Sequence, residues 1–259
     1  MDIQPHKKFK ILLVGDSCVD VYRYGTVDRI SPEAPVPIFK LSHEEERPGM
    51  AGNVLANLNA LDCDVTFITG QNSIKTRLID LRSKQHIVRI DQDITSNSIT
   101  PKLLPDLLDF DAILISDYDK GSVSYELISF LRNKYTGPIF LDTKKRDLAQ
   151  FWGIYVKVNE QEYNNRWSIN DKLIVTLGSN GAVWKNLKDE NRDVIFPAPK
   201  VEVVDVCGAG DTFTSSLVYA YLLWEGQMNS AIEFAIRSAT ISVQHLGCYA
   251  PSLKEIQCA

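Results

Sequence analysis

Six short apolar runs recur along the chain, each closed within two residues by Gly, Asp or Asn: Ile11–Val14, Val65–Ile68, Ala112–Ile115, Pro138–Leu141, Tyr155–Val158 and Leu173–Thr176. Most are rich in β-branched residues and too short for buried helices, so they read as strands covered on both faces. Helical patterns lie between several of them. In Asn53–Leu61 the residues Val54, Leu55, Leu58 and Leu61 fall on one stripe, and in Ser124–Asn133 Leu127, Ile128 and Leu131 do the same. This alternation predicts an α/β fold with a largely parallel sheet. Asp211–Glu225 is apolar enough for a buried helix, and Asn229–His245 reads as a second, with Glu225-Gly226-Gln227 as the break.

Two segments depart from that rhythm. Ile30–Leu41 carries three prolines and cannot be a central strand, whereas Ser73–Asp91 alternates apolar and charged residues about a polar Arg82–Gln85 turn. Together they predict a small antiparallel flap with one wet face. With no repeat, low-complexity tract or long linker, the flap is an excursion from a single domain spanning residues 1–259. Its lid segments fall at about 22–47 and 73–91.

Composition narrows the possible partners. The 259 residues hold 28 Lys plus Arg against 33 Asp plus Glu, a formal charge of −5. Such a balance exerts no general pull on nucleic acid or anionic membranes. No apolar run approaches the roughly 18 residues of a membrane span, and the polar stretch Met1–Lys10 leads into a run too short for a signal-peptide core. The five cysteines are scattered without CxxC or zinc-ligand spacing, and a reducing cytoplasm is the simple expectation.

The sharpest chemical signal is Asp205-Val206-Cys207-Gly208-Ala209-Gly210-Asp211-Thr212, between a β-like run at Val201–Val204 and the first buried helix. Glycines at a helix start let N–H groups converge where the helix already favours anions. A carboxylate there can accept a proton from a hydroxyl while the amides hold arriving negative charge. A Rossmann fingerprint fails because its third glycine falls on Phe213, and a P-loop fails because no Gly-Lys-Ser/Thr follows. Plain helix capping by Asp211 stays open on the octapeptide alone.

Further motifs stand in order along the chain. They are Val14-Gly15-Asp16 with Asp20; Arg29-Ile30-Ser31-Pro32-Glu33-Ala34-Pro35-Val36-Pro37; Pro48-Gly49-Met50-Ala51-Gly52-Asn53; Ser116-Asp117-Tyr118-Asp119-Lys120-Gly121; Leu141-Asp142-Thr143-Lys144; and Asn159-Glu160-Gln161-Glu162. With Gly208–Asp211 they make the chain resemble the ribokinase-like (PfkB) family of sugar kinases over nearly its whole length. Within that family it is most similar to the heptose-7-phosphate kinase branch of lipopolysaccharide-precursor synthesis.

The resemblance implies a three-layer α/β sandwich with a mostly parallel central sheet and an antiparallel β lid. It implies an ATP-dependent kinase in which Asp211 is the base and Gly208, Ala209 and Gly210 form the anion hole. The expected substrate is D-glycero-D-manno-heptose 7-phosphate, phosphorylated at its anomeric hydroxyl. Sugar binding is implied for Asp16, Asp20, Gly49, Asn53 and Asp117, with a turn aspartate as the rival for Asp16 and a helix cap for Asn53. Cations for a sugar phosphate are expected from Arg77, Lys120 and Lys144, with Lys75 and Arg89 nearby on the flap.

Asn159 and Glu162 match the motif that organises Mg²⁺ through water, although the same pair suits an ordinary helix start. Thr176, Gly178 and Ser179 align with a nucleotide-binding segment, as does Ser238–Gln244, which reads equally as buried helix. A monovalent cation and a homodimer formed through the flap complete what the family implies. No HxGH string accompanies His6, His43, His86 or His245, so the kinase half alone is expected.

The chain departs from the family in four places. Gly70 passes almost directly into Ser73, and Glu162 reaches Leu173 without a full helix. Met50 stands where glycine is usual, and Cys207 where Thr, Ser or Asn is usual. These departures leave open another sugar substrate, or a binding protein that has lost turnover.

Overall fold

The computed structural model describes residues 8–185 and 193–258; the polar stretch read at the N-terminus lies mostly outside them. All six apolar runs form strands. β1 (Lys10–Gly15) leads into a long hairpin of β2 (Ser17–Ile30) and β3 (Pro37–Met50), followed by α1 (Ala51–Ala60), β4 (Asp64–Thr69) and a second hairpin, β5 (Ser73–Asp80) and β6 (His86–Gln92). β7 (Ala112–Asp117), α2 (Tyr125–Lys134), β8 (Ile139–Thr143), β9 (Tyr155–Asn159), α3 (Glu160–Asn164) and β10 (Leu173–Thr176) follow. The short strands β11 (Ala182–Trp184) and β12 (Val194–Phe196) precede α4 (Ala209–Leu223), α5 (Met228–Ser242) and α6 (Leu253–Cys258).

The main sheet has the order β12-β11-β10-β9-β8-β7-β1-β4. The strands from β10 to β4 run parallel, and β11 and β12 close one edge antiparallel. Strand periodicity assigns the two faces. In β1, Ile11 and Leu13 enter the core shared with α1, α4 and α5, while Leu12 and Val14 enter the core under α2. Phe140 faces the first core, and Ile139 and Leu141 face the second. Burial on both faces is why these runs lack polar alternation.

The flap is a separate four-stranded sheet, order β3-β2-β5-β6. Both hairpins are antiparallel, as the alternation predicts, but they join through one parallel seam between β2 and β5. The proline-rich stretch supplies the turn after β2 and the start of β3, the outer strand, where missing N–H donors cost least. Val201–Val204 is not a strand. The amide of Val204 donates to Val243 O at the end of α5, and Val203 and Val204 are exposed, so the segment has no ladder to join. No helix among the described residues is long and apolar enough to cross a membrane.

Candidate active site

The carboxyl ends of the parallel strands meet the start of α4, the edge where open α/β sheets place ligands. Gly208 caps α4 with φ of 75°; a Cβ there would lie 2.6 Å from Asn53 Nδ2 and 3.0 Å from Cys248 Sγ. Glycine is therefore required for both its backbone angle and its space. The Ala209 amide turns back to Val206 O at 3.3 Å. Helix geometry leaves the amides of Gly210 and Asp211 without intrahelical acceptors, and Ala209 is the residue of the Gly208–Gly210 turn whose amide is seen engaged elsewhere.

Asp211 does not cap its helix. It is only 6% exposed; its Oδ2 accepts from Asn53 Nδ2 at 2.8 Å and its Oδ1 from the Tyr118 hydroxyl at 2.7 Å. Burial pushes its pKa up to about 6, while the bonds from Asn53 and Tyr118 pull the other way. A carboxylate poised there is suited to accept a proton near neutral pH. Tyr118→Phe removes one of the two donors favouring the charged form, so the Asp211 titration is expected to move above 6. Carbon-detected NMR of the carboxyl group reads this directly; an unmoved titration rejects the role given to Tyr118.

Beneath Asp211 lies a charge pair that the motif reading missed. Lys157 Nζ bonds Asp142 Oδ2 at 2.8 Å, and the Thr214 hydroxyl lies 3.0 Å from the same oxygen. Burial alone would lower the Lys157 pKa, but the Asp142 carboxylate more than reverses this and holds the ammonium above its usual value. The one available signal was a lysine inside the otherwise apolar run of β9.

Two cavities meet over this pair. A pocket of about 150 Å³ is lined by Asp117, Tyr118, Lys144, Glu162 and Asp211, among others. A cleft of about 870 Å³ runs past Thr176, Gly178, Ser179, Val203, Val206 and Thr240. Lys157, Asn159 and Gly210 line both. A large, mainly apolar cleft opening onto a small polar pocket beside a buried carboxylate accommodates two reactants end to end.

The remaining site residues divide. Thr176, Gly178 and Ser179 line the large cleft, and so do Ala239 and Thr240 of α5 and Val243 at its end; Ser238 is instead fully buried. Asn159 and Glu162 take the helix-start reading and also face the small pocket. They form a reciprocal capping box for α3, with both bonds at 2.8 Å. Lys144 pairs with Glu162 Oε1 at 2.8 Å, its ammonium 5.2 Å from the centre of the Tyr118 ring. Asp117 lines the same pocket but is held from behind by Lys145 at 2.9 Å and Thr143 at 2.6 Å.

The predicted sugar ligands are more dispersed. Asp16 is 1% exposed and accepts from the amides of Tyr118, Lys120 and Ser122 at 2.9–3.1 Å, so it shapes the loop after β7. That geometry matches the turn-aspartate reading. Asn53 sits inside α1, which opens at Ala51, so it is no cap; its amide is spent on Asp211. Asp20 is ion-paired with Arg77 across the flap, and a Cβ on Gly49 would lie 2.3 Å from Asp20 Oδ2, so Gly49 makes room for that pair. Lys120 bonds Asp93 at 2.7 Å. Asp16, Asp20, Gly49, Arg77 and Lys120 line neither cavity. Met50 adopts φ of 55° and ψ of −128°, a region glycine enters far more readily, which gives the usual glycine there a physical reason.

Known proteins are similar to this chain in sequence and fold. Residues 140–255 match the pfkB family carbohydrate kinases. This stretch is a pfkB carbohydrate kinase domain. It holds the Lys157–Asp142 pair, the α3 capping box, the large cleft and Asp211. Over 96% of its length the chain is 29% identical to bifunctional protein HldE of a Nitratiruptor species, and over 97% it is 30% identical to that of Campylobacter curvus. It spans 64% and 65% of those relatives. The first alignment extends over 304 positions, more than the chain's 259 residues, so the relative carries segments absent here. The chain superposes on Arabidopsis thaliana ribokinase complexed with ribose and ATP, with a TM-score of 0.70 and 15% identity, over 97% of this chain and 98% of that one. The shared fold is ribokinase-like.

Proposed function

We propose that the protein transfers the γ-phosphoryl group of ATP to a sugar hydroxyl, with D-glycero-D-manno-heptose 7-phosphate, accepting at its anomeric hydroxyl, as the first substrate to test. The observation that carries this reading is the placement of Asp211 beside the junction of the two cavities. The large cleft suits a nucleoside triphosphate with its phosphates directed toward Gly210 and Lys157. The acceptor hydroxyl enters the small pocket and gives its proton to Asp211 as it attacks in line. The amides of Gly210 and Asp211 and the Lys157 ammonium balance the negative charge of transfer, which depends chiefly on positioning and electrostatics.

Among the described residues no cluster of three His, Cys, Asp or Glu side chains is placed to enclose a metal. Glu162 and Asn159 still offer hard oxygens at the pocket, which fits Mg²⁺ that keeps most of its waters and is carried by nucleotide phosphates. Bound there, Mg²⁺ would neutralise phosphate charge; a monovalent cation is a further candidate cofactor.

ADP formation across heptose 7-phosphate, hexose phosphates and free sugars tests the proposal. Turnover on heptose 7-phosphate alone supports the full reading, and turnover on another sugar keeps the kinase and replaces the substrate. Tight binding of nucleotide and sugar without ADP on any acceptor identifies a binding protein instead.

The flap supports a second copy as partner. Pairing registers place Ile74, Thr76 and Leu78 on one face with Val88 and Ile90, and Ile74, Val88 and Ile90 are exposed. An unpartnered apolar sheet face favours association. Light scattering at micromolar concentration is expected to give a dimer mass, and Ile90→Lys a monomer; a wild-type monomer removes the dimer from the proposal.

A further inference from the structure

Two thiols converge at the rim of the anion-binding turn. Cys207 Sγ and Cys248 Sγ lie 3.2 Å apart, although 41 residues separate them in the chain. Neither is fully buried, unlike Cys18 and Cys63. Their approach is built by Asp205, whose Oδ1 accepts from the Cys207 amide and whose Oδ2 accepts from the Gly247 amide, each at 2.9 Å. One carboxylate thus fixes both loops, and the left-handed Gly208 leaves space for the Cys248 sulfur.

We propose that Cys207 and Cys248 are a peroxide-sensitive dithiol whose oxidation to a disulfide slows the reaction at Asp211. The effect on turnover rests on the kinase reading above; the chemistry of the pair does not. Contact with the Cys248 thiol favours the Cys207 thiolate, while the partner thiol and burial hold Cys248 protonated. The Cys207 thiolate attacks one oxygen of hydrogen peroxide, the O–O bond breaks, and the departing hydroxide takes a proton to leave as water. The resulting sulfenic acid is attacked at sulfur by Cys248. The S–S bond forms, the S–O bond breaks, and a second water departs with the Cys248 proton. Two thiols are oxidised and one peroxide is reduced to two waters.

Closing a 3.2 Å contact to a bond of about 2.05 Å draws the two sulfurs together by more than about 1 Å and ties the loop before α4 to the loop after α5. Gly208 follows Cys207 directly and packs against Asn53, which holds Asp211. The displacement therefore reaches the base and the amides beside it. Misplacing reacting groups by about 1 Å can cost about 100-fold in rate.

The test treats the full chain with a small excess of hydrogen peroxide, alkylates remaining thiols and maps peptides by mass. A linked peptide joining Cys207 to Cys248, two hydrogens lighter and reversed by dithiothreitol, is expected, with Cys258 alkylated. Cys207→Ser and Cys248→Ser should each abolish it. On whichever sugar yields ADP, the oxidised wild type should turn over at least about tenfold slower and recover on reduction. Each serine variant should keep within about twofold of its own untreated rate, since it has no pair to close. Absence of the linked peptide in the folded protein overturns the dithiol. A linked peptide with an unchanged rate overturns the control of turnover. If no sugar yields ADP, the kinase reading fails by itself and the mass map still decides the chemistry of the pair.

Discussion

Replacing Asp211 with asparagine is expected to lower kcat by roughly 100- to 10,000-fold, the usual contribution of a positioned general base, with little change in KM for the nucleotide. The side chains are nearly equal in size, and the cleft proposed for the nucleotide is bounded by other residues such as Ser179 and Thr240. A loss confined to KM would place Asp211 in binding and remove it from chemistry. The same substitution has a signature that needs no substrate. Burial raises the Asp211 pKa to about 6, so between the ordinary carboxylate range and pH 6 the folded state binds more protons than the unfolded state. Stability from this group is full below that window and declines as pH rises through it. A shift of this size corresponds to about 3 kcal/mol at neutral pH. The wild type should therefore lose stability between about pH 4 and pH 7 relative to Asp211→Asn. Urea unfolding at several pH values checks this; parallel curves would mean that the carboxylate is not destabilised by its burial.

The parts legible in the sequence are those written locally. Continuous apolar runs such as Ile11–Val14 specify strands covered on both faces, and the spacing of Leu127, Ile128 and Leu131 specifies the buried side of α2. Gly208–Asp211 announces an anion-binding turn because the glycine, the helix start and the carboxylate are adjacent. The partners of that carboxylate were not legible. Tyr118 and Asn53 reach it from 93 and 158 residues away, a distance that only the sheet order closes. For Asp16 the place after β1 is legible, but not the three amides from over 100 residues later that bond its oxygens. The antiparallel strands β11 and β12, three residues each, are too short to show a period. Val201–Val204 has strand composition, but no neighbouring strand offers it a ladder. Composition supplied a propensity there, and topology withheld the partner.

Lys157→Met should be the most damaging single change to stability near the site. Lys157 and Asp142 are a largely buried pair, with side chains 8% and 16% exposed. Removing one partner leaves the other charged and uncompensated, which typically costs about 3–5 kcal/mol. For a chain of this size that lowers Tm by roughly 10 °C. Asp142→Asn added to Lys157→Met removes the stranded charge, so the double variant should recover most of the loss; Thr214 remains as a donor to the new amide. If the single variant unfolds like the wild type, the pair contributes nothing by its charge. Turnover separates the structural role from the chemical one. Lys157 lowers the Asp211 pKa and Asp142 raises it, so losing the lysine alone should carry that titration above about 6 and shift the acid limb of kcat to higher pH. Losing both should return the limb toward its original place, because opposing influences are removed together. The maximal rate should nevertheless stay low in the double variant, since the ammonium that faces both cavities, where the proposed transfer develops charge, is then gone. Recovery of folding and of the pH limb without recovery of rate would assign Lys157 to charge stabilisation during transfer. Full recovery of rate would confine it to holding Asp142 in place.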